Sequence, residues 1–170
     1  MTYTFYHCGV LLGESDLEQS SSNPRQRGGV FWPTPYGVQL FPRLSGMLTA
    51  AHALEAHLDA NGLSADALET SDIEVLFETT PAGQKVIDIG RMLSDVEIRA
   101  PDGRRLEIAS IAFSDLMEIQ RLTRDMQLDC AERIADVPPD APRYIVSTTL
   151  RHETPASARG RQPDRFRRGH

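Results

Sequence analysis

His7 and Cys8 place an imidazole base next to a thiol, the beginning of a nucleophile pair. Successive side chains of a strand point to opposite faces, however, so residues 7 and 8 of a continuous strand do not meet. The expected arrangement is a packed Cys8 with His7 exposed or hydrogen-bonded. His52 and His57, with Glu55 between them, are five apart on an expected helix, which rotates the imidazoles off a shared face. These read as solvated helix residues. The carboxylates Asp16, Asp88, Asp95, Asp102 and Asp115 are scattered, and nothing in their spacing pairs an acid with a base. The chain has no phosphate-binding glycine loop, no H-E-x-x-H, no nucleophile elbow and no Cys-x-x-Cys. The sequence therefore assigns no catalytic residue, no metal ligand and no cofactor, and the expectation leans away from an enzyme.

Recognition is better represented than catalysis. Between Val30 and Tyr36 the chain sets three aromatics and two prolines into seven residues. Trp and Tyr are enriched in binding hot spots, and a stiff extended segment presents them at low entropic cost. Phe31, Trp32 and Tyr36 are accordingly the candidate binding residues. The competing reading has them cap the core where a strand meets a helix.

The elements that must position these residues can be read from periodicity. From Asp95 to Phe113 the chain alternates on both sides of Pro101-Asp102-Gly103, which suits a three-residue hairpin loop. That loop sets Ala100 opposite Arg104, Ile98 opposite Leu106 and Val96 opposite Ile108. Thr2 to Glu18 reads as two short strands turning at Cys8-Gly9 or at Gly13-Glu14, and Gln19 to Gly29 as an exposed loop. The prolines make Val30 to Tyr36 an edge strand or extended segment leading into a helix. Pro42 to Asn61 carries an apolar stripe at three- and four-residue steps and is expected as one long helix; Asp115 to Ala135 is expected as another. Thr80-Pro81-Ala82-Gly83 repeats the Pro-x-Gly pattern and favours a hairpin over 73–89, although a capping box at Ser71 and Glu74 argues for a helix there. Arg143 to Leu150 reads as a last strand. Together these predict an α+β fold, an antiparallel β-meander with two long helices packed against the sheet.

At 170 residues and 40% hydrophobic content, the chain is long enough for one domain, expected over 1–151, with a disordered tail over 152–170. Cys8 and Cys130 lie far apart and read as free thiols of a reducing compartment. No apolar run is long enough to span a bilayer and the start lacks the pattern of a secretory signal, so a cytoplasmic location is expected. Charge is unevenly spread, with a net of −10 over residues 1–158 and +4 over the arginine-rich last twelve. An acidic body repels nucleic acid, leaving only the tail for such a partner.

Phe5, Gly9, Leu12-Gly13-x-Ser15-x-Leu17-Glu18, then Gly29-Val30-x-Trp32-x-Thr34-Pro35-Tyr36 and the late Asp-Gly hairpin make up a pattern. It resembles that of a group of small uncharacterised bacterial proteins. The resemblance implies the fold sketch and carries no activity. The function expected is a non-enzymatic protein-binding module, such as an immunity or inhibitor protein for a basic partner. The alternatives are a small enzyme with a pocket near His7 and Cys8, and a self-associating structural subunit.

Overall fold

Alternation builds the first hairpin. In β1 (Tyr3–His7) Tyr3 and Phe5 face inward, Cys8-Gly9 makes a two-residue turn with both φ angles positive, and β2 (Val10–Ser15) returns antiparallel. The computed structural model describes residues 1–63, 69–125 and 143–152. The remainder of the second expected helix (Met126, Cys130, Ile134) and of the expected tail beyond His152 lie outside these residues.

β2 continues into the short β3 (Glu18–Gln19), and both lie along one edge of β4 (Gln26–Pro33). The expected loop over Gln19 to Gly29 is thus partly strand. The other edge of β4 pairs with β7 (Tyr144–Leu150). The edge-strand expectation for Val30 to Tyr36 holds in part: β4 as a whole lies between β2 and β7, but β7 reaches only Val30, and Phe31 to Pro33 pair with β2 alone. Pro33 is tolerated because it sits at the last pair of that ladder, opposite Gly13.

β5 (Val96–Arg99) adds to the outer edge of β1, and β6 (Ile108–Asp115) to the outer edge of β7. The strand order is β5-β1-β2-β4-β7-β6, and every pairing is antiparallel. The expected hairpin register holds at the turn: Ala100 N–H donates to the Arg104 carbonyl (2.8 Å), Leu106 N–H to that of Ile98 (2.8 Å), and Gly103 takes φ +82°. It ends there. From Ile108 onward the chain pairs with β7 instead, so one segment, Arg104–Asp115, touches β5 at its start and β7 along β6, and curls the sheet toward a barrel.

Among the described residues, five helices complete the α+β fold. α1 (Pro35–Leu44) starts where Thr34 Oγ1 accepts from Gly37 N–H (3.1 Å), with Pro35 as the first helical residue. α2 (Met47–Ala60) follows after Ser45-Gly46. The single helix expected over Pro42 to Asn61 is thus two, and Pro42 lies inside the first. α3 (Thr70–Thr79) and α4 (Pro81–Ser94) occupy the region expected as a hairpin. Thr80 caps α4 by accepting from Gly83 N–H (3.0 Å), so Pro81 opens a helix rather than a loop. α5 (Leu116–Asp125) starts at Asp115, whose Oδ1 accepts from Met117 N–H (3.0 Å).

Inside the curl, Phe5, Phe31, Phe41 and Phe113 form a cluster of mostly edge-to-face rings with centroids 5.1–6.1 Å apart. Such ring pairs add about 0.5–1.5 kcal/mol each beyond their area burial. α1 supplies Phe41, which packs that helix against β2, β4 and β6. Among the described residues, no helix is long and apolar enough to cross a membrane.

Candidate functional site

Adjacent positions on a strand point opposite ways, and β4 applies that rule to the expected binding residues. Phe31 is 2% exposed within the aromatic cluster, whereas Trp32 is 51% exposed on the other face. Phe31 is therefore corrected from a binding residue to a core residue. Tyr36, partly buried in the first turn of α1, packs against the core and points its hydroxyl at His7. The three aromatics do not share one surface.

Trp32 has other neighbours. It pairs with Glu14, Glu14 with the row of Thr4, and Thr4 with Arg99, so Trp32, Glu14, Thr4 and Arg99 form one continuous row across four strands. Directly opposite residues share a face. Tyr6, two positions along β1 from Thr4, joins that face, and the Arg99 guanidinium lies 4.5 Å from its ring centroid. Arg99 Nε also donates to Glu97 at 2.6 Å, and Arg105 approaches the other oxygen of Glu97 at 3.4 Å. The Arg99 hydrogen bond, reinforced by the charges of Arg99 and Arg105, holds the Glu97 carboxyl below the usual glutamate range. The same pairing raises the Arg99 pKa. The result is an aromatic and charged patch mounted on paired backbone.

A second group lies at the end of β1. His7 pairs with Val96, the first residue of β5, which brings Asp95 at the end of α4 beside the Cys8-Gly9 turn. Cys8 is exposed rather than packed as expected, and it lies in the turn, not in the strand. Its φ of +50° swings Sγ back to 3.9 Å from His7 Nε2, so the opposite-faces expectation for these neighbours is overturned by the turn itself. His7 Nδ1 lies 3.0 Å from Tyr36 Oη. Ligand atoms of His7, Cys8 and Asp95 all lie within 4.8 Å of one another. Asp95 was visible in the sequence only as one of several loop carboxylates, and its proximity to His7 depends on the β1–β5 pairing.

A groove of about 730 Å³ elsewhere, between α1, β6 and α5, is lined by Pro42, Ser45, Glu118, Arg143 and Asp115. Arg143 donates twice to Asp115 Oδ2, at 2.9 and 3.0 Å, so these two charges satisfy each other. His52 and His57 stay on α2, apart from any such cluster among the described residues. Compared with protein-family models, curated proteins and solved structures, the chain shows no match, and its function must be argued from these two surfaces.

Proposed function

We propose that the protein is a binding module for another protein, engaged through the outward sheet face that carries Trp32, Glu14, Thr4, Tyr6 and Arg99. The observation behind this reading is the continuous row from Trp32 to Arg99, with Tyr6 beneath the guanidinium. Trp, Tyr and Arg are the residue types that dominate binding hot spots. Here all three sit on strands already fixed by ladder hydrogen bonds, so little conformational entropy is lost when a partner docks. The acidic body supports a basic partner, because complementary charge speeds encounter, and an inhibitor or immunity protein is the kind of module that this combination suits.

The test is affinity capture with wild type, Trp32→Ala and Arg99→Ala, each checked for native circular dichroism, followed by hydrogen-exchange footprinting of the captured complex. A single stoichiometric partner retained by wild type and weakened at least tenfold by Trp32→Ala, with protection over β1, β2 and β4, is the expected result. A partner bound equally well by Trp32→Ala, or protection elsewhere, overturns the assignment to this face. A homo-oligomer dissolved by Trp32→Ala would replace the heterologous partner with a second copy of the chain.

A further inference from the structure

We propose that His7, Cys8 and Asp95 bind a divalent metal ion of the zinc type, with Tyr36 orienting the histidine. The three donors come from separate places in the chain, a strand end, a turn and a helix end, and the pairing of His7 with Val96 converges them. All three ligand atoms fall within 4.8 Å of one another. Zinc bonds of about 2.3 Å to sulfur and 2.0 Å to nitrogen, at a tetrahedral angle, require an S···N separation of about 3.5 Å. The 3.9 Å between Cys8 Sγ and His7 Nε2 needs only a small closure to reach that value.

The second observation is the phenol. A metal-bound histidine typically donates its other ring N–H to an oxygen that fixes its tautomer. Tyr36 Oη is 3.0 Å from Nδ1, so with the proton on Nδ1 the imidazole donates to the phenol and turns the Nε2 lone pair toward the Cys8 sulfur. Cys8 itself holds a left-handed conformation that two-residue turns usually assign to Asn, Asp or Gly, and in that conformation its thiol faces the imidazole. The site also stands at the C-terminal end of α4, the negative end of the helix dipole, which favours a cation.

The donor set selects the ion. One thiolate, one imidazole and one carboxylate suit Zn²⁺ and its neighbours, whereas Mg²⁺ and Ca²⁺ require oxygen ligands throughout. Binding forms Zn–S, Zn–N and Zn–O bonds and releases the thiol proton to solvent. Three protein ligands leave a fourth position for water or for a donor from a bound partner.

The experiment is Zn²⁺ titration of the full reduced chain against a chromophoric chelator, with Co²⁺ loading to read the thiolate-to-cobalt charge-transfer band. One equivalent bound, with the band present, is expected for wild type and for Cys130→Ser. Cys8→Ser should abolish the band, and Asp95→Asn and Tyr36→Phe should each weaken Zn²⁺ binding by roughly tenfold or more while circular dichroism stays native. A band that survives Cys8→Ser but is lost in Cys130→Ser would overturn the site. So would wild-type affinity no greater than that of Cys8→Ser, or undiminished affinity in Asp95→Asn.

Discussion

At the scale of single residues, Cys8 is the most informative position. A side chain with φ near +50° is strained unless it is Asn, Asp or Gly. Cys8→Asn should therefore raise stability of the metal-free protein by a few tenths to about 1 kcal/mol, read as a higher urea midpoint with an unchanged slope. An unchanged or lower midpoint would mean that the Cys8 thiol makes up for its backbone cost. This residue also marks a limit of sequence reading. Alternation along β1 was legible, and so was the chance of a turn at Cys8-Gly9, but the meeting of neighbours 7 and 8 depended on where the strand stopped. The Phe31-Trp32 pair shows the same limit. Alternation guarantees that one points in and one out, but which of them does so is set by the register of β2, β4 and β7.

Among the elements, α1 illustrates how a helix is seated. A Cβ added at Gly37 would run into the carbonyl of Leu12 on β2 and approach Pro33 Cβ at 3.0 Å. Gly37→Ala should destabilise by about 2–3 kcal/mol, since backbone on the facing strand cannot yield as a side chain would. Gly90→Ala, on the exposed side of α4 with nothing within 4 Å, should instead stabilise by up to about 1 kcal/mol. Paired thermal melts of the two variants check both signs. Helix-forming signals were present in the sequence where the hairpin over 73–89 was expected. Thr80 followed by Pro81 is a cap and a first helical residue, but Pro-x-Gly also fits a loop, and only burial separates the two. Gly83 is there for proximity: a Cβ would come within 2.5 Å of Phe77 Cα, so α3 and α4 cross closely at this point. The break at Ser45-Gly46 was hidden because Leu44 and Met47 keep the apolar rhythm across it.

For the whole molecule, the fold class was legible from element types, and the strand order was not. The alternating run after Gly103 has no residue that announces its change of partner from β5 to β7; that change depends on a strand some forty residues further on. Before that change, the hairpin turn sets Arg105 opposite Arg99 and so within reach of Glu97, and this has a pH signature. Because the Glu97 pKa is lowered in the folded state, its contribution is complete above the ordinary glutamate range and fades as pH falls through the lowered value. The gap in urea midpoint between wild type and Glu97→Gln should accordingly be widest near neutrality and close in acid; a gap that is constant with pH would show that packing, not charge, separates the two. The pairing of β4 with β7 has a consequence for how the protein is made. Gln26 meets Thr149, roughly 120 residues later, so during synthesis one edge of β4 stands open until almost all of the fold has emerged. That waiting edge carries Arg27, Gly28 and Gly29, a charge and two poor strand formers, which discourage a passing chain from pairing with it before β7 arrives.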